Sequence, residues 1–201
     1  MTDLTVLAVA AEAGDAELGM GMRLRWYADR GAAVHVHCLA GEPDADWRTA
    51  SIHIGLKGCT FSGVPEGFSS SRGVINAELF RVVPALRPDV VYGVFPGDQD
   101  PDRRIAGDET AVVALREACD VRFFRCGPAD GFRPNLFFLG DDELMGARRA
   151  ALTALGREVD EDLARVAHRE HVHHRVIERL AADDASAEMF TILRAIEGRR
   201  R

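Results

Sequence analysis

Two short clusters of charged residues carry most of the chemistry legible in this sequence. In E-A-G-D, Glu12 and Asp15 stand three residues apart directly after an apolar run. In G-D-Q-D-P-D-R-R, Asp98, Asp100 and Asp102 alternate along the chain, with Arg103 and Arg104 immediately after them. Carboxylates grouped in this way can hold a hard cation or pass protons as an acid and base pair. The same residues can also form a solvated turn whose aspartates cap a helix, and the two arginines neutralise part of the charge. A third cluster, H-R-E-H-V-H-H, puts His168, His171 and His174 on one drifting helical face. It lacks the H-E-x-x-H pattern of a helical zinc site and reads as a polar helix face, with His171 a candidate substrate contact. His35, His37 and His53 are isolated and read as structural. Cys38, Cys59, Cys119 and Cys126 form no C-x-x-C pair and read as free thiols of a cytoplasmic protein.

The two carboxylate clusters sit inside longer motifs. V-L-A-V-A-A-E-A-G-D-A-E-L-G-M-G resembles the opening of the LmbE/PIG-L N-deacetylases, whose motif reads roughly A-H-P-D-D-E-E-L-G after the same strand. R-P-D-V-V-Y-G-V-F-P-G-D-Q-D-P-D-R-R-I-A-G is similar to the family's R-P-D-V-V followed by G-D-x-H-P-D-H. G-V-P-E-G-F is similar to its G-x-P-D-G, with weaker echoes in R-R-A-A-L-T-A-L and A-E-M-F. The resemblance implies a zinc-dependent amide hydrolysis, in which the metal lowers the pKa of its water and a carboxylate takes the proton. Carried over by position, Glu12 stands for a zinc-ligating histidine, Gly14 for the general base and Asp15 for a retained ligand. Asp100 stands for the oxyanion-stabilising histidine and Arg103 for the last ligating histidine. Glycine moves no proton, and arginine does not ligate. The pattern therefore predicts that the zinc site is lost, with no cofactor, and that Arg103 fills it, bridged to Glu12, Asp15 or both. Glu12, Asp15 and Asp100 are then the catalytic candidates. Arg103, Asp102, Asp98, His171 and Arg48, which follows the G-E-P segment, are the substrate-binding candidates.

The elements that must position these loops follow from periodicity. Thr5–Ala11 and Asp89–Val94 read as strands covered on both faces. Glu17–Arg30 reads as a helix, with Leu18, Met22 and Trp26 on one stripe and Gly31 ending it. Val34–Leu39, Gly58–Val64, Val121–Cys126 and Asn135–Leu139 read as further strands. Helices are expected from about Trp47, capped by Asp46, over Val74–Leu86 with Pro84 ending it early, and over Ile105–Cys119. From Asp141 onward, to about residue 198, the chain reads as mostly helical. This alternation predicts one domain over residues 1–201, a Rossmann-like three-layer α/β/α fold with a mostly parallel sheet. Ligands in such sheets bind beyond the carboxyl ends of the strands, where both carboxylate loops lie. Gly14, Gly19 and Gly21 do not spell G-x-G-x-x-G; the last two read as close helix-to-sheet packing.

Composition bounds the partners. The 201 residues carry a net charge of −7, which opposes nucleic-acid binding. No apolar run is long enough for a membrane span, and the N-terminus reads as a strand rather than a signal peptide. Three functions stay open. One is a metal-independent protein that binds a small polar biosynthetic molecule or transforms it without hydrolysis. Another is a metal-dependent N-deacetylase or amidase with a remodelled ligand set, acting on an N-acylated sugar-like substrate. The third is a non-catalytic partner protein, and either a homo-oligomer or a protein partner fits the sequence.

Overall fold

A computed structural model describes residues 4–117, 119–157 and 186–195. Its centre is a sheet of seven strands in the order β3-β2-β1-β4-β5-β7-β6. The strands are β1 (Thr5–Ala10), β2 (Ala33–Ala40), β3 (Gly58–Val64), β4 (Val90–Val94), β5 (Asp120–Phe124), β6 (Leu136–Gly140) and β7 (Ser186–Arg194). β3, β2, β1, β4 and β5 run parallel, while β7 is antiparallel to both neighbours. The helices are α1 (Asp15–Asp29), α2 (Ala45–Ile54), α3 (Arg72–Leu86), α4 (Pro101–Arg116) and α5 (Asp142–Ala154).

The continuous apolar run of β1 feeds two cores at once. Val6, Ala8 and Ala10 face a core shared with α1, α2 and α5; Leu7, Val9 and Ala11 face one shared with α3 and α4. That period of two on a fully buried strand produces the expected three-layer α/β/α fold. Val9 pairs with both His37 of β2 and Gly93 of β4, so these strands end level and their loops emerge together.

Four local expectations are corrected. Residues 186–194 are a strand rather than helix, inserted between β5 and β6; α5 is the helix expected from Asp141, while residues 158–185 and 196–198, with all four clustered histidines, lie outside the described residues. A short apolar run carries no decisive period, and pairing with distant strands settles its state. α4 begins at Pro101 rather than Ile105, because the Asp100 side chain accepts from Asp102 N and Arg103 N and proline suits the first helical position. Asp44 rather than Asp46 caps α2, accepting from Trp47 N at 2.7 Å. α3 continues through Pro84 to Leu86.

α1 is broken at Met20, whose φ of −153° lies outside the helical region. The break frees carbonyls before it and amides after it, and one buried ion pair takes up both. Arg148 of α5 donates to the Glu17 and Leu18 carbonyls at 3.3 and 2.7 Å. Glu188 of β7 accepts from Met22 N and Arg23 N at 2.7 and 2.8 Å, and Arg148 Nε lies 4.0 Å from Glu188. Gly19 and Gly21 make room for this packing. A Cβ at Gly19 would stand 2.3 Å from Phe124, and one at Gly21 would stand 2.8 Å from Arg148. His37 is a satisfied core histidine between Thr60 Oγ1 (2.8 Å) and Ser62 Oγ (2.9 Å), and burial lowers its pKa to about 4. None of the four cysteines is in a disulfide. No described helix is long and apolar enough to cross a membrane.

Candidate functional site

From β1 the sheet grows one way through β2 and β3 and from β4 the other way through β5, so a crevice opens beyond the carboxyl ends of β1 and β4. Three loops meet there. The loop after β1 brings Ala11 and Glu12, and the loop after β3 brings Glu66, Gly67 and Phe68. The turn after β4 brings Asp100, Asp102 and Arg103, and with Ala40 these residues line a cleft of about 220 Å³. Asp102 ties two of the loops together, its carboxylate accepting from Gly67 N and Ser69 N, each at 2.7 Å.

The wall on the β1 side is an ion cluster. Arg103 donates through Nε and Nη2 to Asp15 Oδ1 at 3.1 and 2.8 Å, and through Nη2 to Glu12 Oε1 at 2.9 Å. A second guanidinium converges on the same carboxylates. Arg157 Nη2 lies 2.9 Å from Glu12 Oε1, and its Nη1 lies 3.6 Å from Asp15 Oδ1. Asp15 opens α1, where the helix amides favour negative charge, and its side chain is fully buried. Glu12 keeps 42% of its side-chain surface exposed. Burial pushes the Asp15 carboxyl above its usual range, while the charge and hydrogen bonds of Arg103 pull it back. Burial works against the Arg103 charge too, but the attraction of Asp15 and its neighbours outweighs it and raises the pKa of the guanidinium.

Gly14 makes room for the second arginine. A Cβ at this position would stand 2.5 Å from Arg157 Nε and 2.7 Å from its Cδ, and Gly14 holds a φ of +93°. A side chain there would be strained and would expel Arg157. Beneath the cluster lies Glu17, fully buried, with no hydrogen-bond partner on either carboxylate oxygen among the described residues. Burial raises its pKa to about 7. Burial likewise holds the Cys126 thiol well above its ordinary range.

The structure thus brings Glu12, Asp100, Asp102 and Arg103 to the cleft, with Asp15 sealed behind Arg103. Asp98 is turned inward. It accepts from Asp100 N at 2.9 Å, its loop bridges to Ala129, and it shapes the turn without lining the cleft. Arg48 lies exposed on α2 and is not part of the lining. His171 lies outside the described residues. Sequence reasoning missed Glu66, Phe68 and Arg157. G-V-P-E-G-F already marked the first two, and a glycine at the place of a catalytic base marked the space that Arg157 fills. Among the described residues, no three His, Cys, Asp or Glu side chains come together as a metal-binding group.

No family model matches the chain, and no curated protein does. Solved structures do. The conserved protein TT1542 from Thermus thermophilus superposes with a TM-score of 0.75 at 21% identity, covering 98% of this chain and 100% of its own. The N,N'-diacetylchitobiose deacetylase of Pyrococcus horikoshii superposes with a TM-score of 0.67 at 15% identity, covering 94% and 83%. The chain has the LmbE/PIG-L deacetylase fold. GalB, the 4-carboxy-2-hydroxymuconate hydratase of Pseudomonas putida, shares that fold with a TM-score of 0.70 at 15% identity, covering 98% and 99%. One LmbE/PIG-L scaffold therefore carries proteins named for two different reactions.

Proposed function

We propose that this chain is a metal-independent protein on the LmbE/PIG-L fold. Its cleft binds a small polar biosynthetic molecule, or transforms it without hydrolysis, and Arg103 stands where a zinc ion would need ligands. One observation carries the reading: Arg103, from the β4 side of the site, sits 2.8 Å from Asp15 and 2.9 Å from Glu12 on the β1 side, joining the two motifs. A guanidinium between two carboxylates supplies the positive charge a metal would have supplied, and it cannot itself be a ligand. Arg157 adds a second built-in cation, in space that Gly14 leaves open. Zinc does not fit this donor set: Asp15 Oδ1 and Glu12 Oε1 are already paired with arginines, and Gly14 offers no base for a metal-bound water. Any proton transfer in the cleft falls to Glu12 or Asp100, the catalytic candidates that reach it, with Asp15 positioning Arg103 from beneath. The hydratase neighbour supports treating the reaction as open, since its named chemistry is not deacetylation.

The test is acetate release from N-acetylglucosamine and N,N'-diacetylchitobiose, measured with chelator-treated protein and again with added zinc. No release is expected in either condition. Zinc-dependent release, abolished in Asp15→Asn, would instead establish a remodelled metal hydrolase.

A further inference from the structure

The cleft's shape and place make it a binding site; its unspent hydrogen-bonding groups say what it takes. Four carboxylates line it, those of Glu12, Glu66, Asp100 and Asp102, against the single guanidinium of Arg103. Its one cationic side chain is largely committed. Arg103 Nε and Nη2 serve Asp15 and Glu12, and the Gly67 amide serves Asp102. Of its four carboxylates only one is fully committed. Asp102 spends both oxygens on the amides of Gly67 and Ser69. Glu12 uses only Oε1, and Asp100 uses only Oδ1. Glu66 is exposed and makes no hydrogen bond or ion pair among the described residues. The pocket therefore presents free carboxylate oxygens on three of its loops, against one guanidinium that two carboxylates already hold. A neutral acceptor-rich ligand finds few partners there, and an anion meets repulsion.

The carbon framework of the ligand has a place as well. Ala11 and Ala40, at the ends of their strands, and the Phe68 ring supply apolar surface between the carboxylates. A hydrated metal ion gains nothing from such surface, whereas an organic cation covers it while its charge reaches the oxygens. The volume of about 220 Å³ suits one sugar-sized ring or a short chain rather than an oligomer.

Resting on the reading of this cleft as a small-molecule site, we infer that its ligand is a compact organic ammonium ion, a primary amine on a hydroxylated ring or short chain, held by Glu12, Glu66 and Asp100. In the N-acylated counterpart of such an amine the charge is gone and the nitrogen offers one donor where the ammonium offers three. The cleft thus selects the free amine over its acylated form.

The experiment is two-dimensional NMR of the labelled full chain titrated with D-glucosamine, N-acetylglucosamine, glucuronate and calcium chloride. Saturable shifts at Ala11, Ala40 and Gly67 are expected with glucosamine, at least about tenfold weaker with N-acetylglucosamine and absent with glucuronate. Glu66→Gln and Asp100→Asn should each weaken glucosamine binding roughly fivefold to tenfold, and asparagine preserves the cap of α4. Raised salt should weaken it further. Equal or tighter binding of N-acetylglucosamine or glucuronate at these residues would overturn the inference and leave the small-molecule cleft standing. Saturation by calcium with no response to the amine would overturn it in favour of an inorganic cation. No response at the cleft to any probe would overturn both readings.

Discussion

Two arginine–carboxylate pairs in this molecule use the same chemistry for different ends. Arg148 and Glu188 are almost completely buried and spend their groups on the broken helix α1, one taking its loose carbonyls and the other its loose amides. Arg103 and Asp15 are also paired, but Arg103 keeps 17% of its side-chain surface exposed and shares Glu12 with Arg157 at the rim of a cleft. A charge pair whose hydrogen bonds all turn inward is a structural joint. A charge pair that ends on a half-exposed carboxylate beside open acceptors belongs to a site. The difference lies in where the remaining hydrogen bonds point, not in the strength of the pair.

Breaking the inward pair should have the largest effect. Glu188→Ala leaves Arg148 without its carboxylate and two helix amides without an acceptor. It should lower unfolding free energy by about 4 kcal/mol in chemical denaturation, without shifting the pocket resonances of protein that remains folded. Arg103→Ala should cost less, about 3 kcal/mol, because Arg157 stays near Asp15; unlike the first variant it should also disturb ligand binding. An undiminished stability in Arg103→Ala would show that Asp15 does not depend on the pair.

Part of the pH dependence comes from the buried Glu17. Its pKa is about 7 in the folded chain against an ordinary 4.5. The folded state therefore holds a proton that the unfolded state has released. Stability contributed by this group is full below about pH 4.5, declines as pH rises to about 7 and is flat above, a loss on the order of 3 kcal/mol. Burial raises the pKa of Glu188 to about 7 as well, so denaturation curves of Glu17→Gln should show a shallower decline over the same window. The smallest effect is expected at Glu12. Glu12→Gln should change stability by less than about 1 kcal/mol, since a half-exposed ion pair is worth little, yet should weaken ammonium binding in the same titrations.

Much of this was legible in the sequence. The apolar runs of β1 and β4 and the stripe of α1 have unambiguous periods, and the strand ends mark where the cleft opens. The meeting of Arg103 with Glu12 and Asp15 was legible because both motifs hold their places on those strands. β7 was not, because A-E-M-F-T-I-L carries no clear period and its partners are remote in sequence. Its Glu188 was hidden with it, since nothing local marks a carboxylate that will cap a helix break far away. Arg157 was hidden for a similar reason: its contacts lie across the fold, and only the bare position at Gly14 hinted at it. The early start of α4 was readable in D-P-D, an aspartate cap followed by proline.

The central claim is that an arginine built into the chain replaces a bound metal. Calorimetric titration of zinc into the chelator-treated protein tests it most directly, with Arg103→His alongside. No zinc binding tighter than about 0.1 mM is expected of the unaltered chain, since Glu12 and Asp15 are already paired with arginines. One equivalent of zinc bound below about 1 μM, and lost in Asp15→Asn, would contradict it.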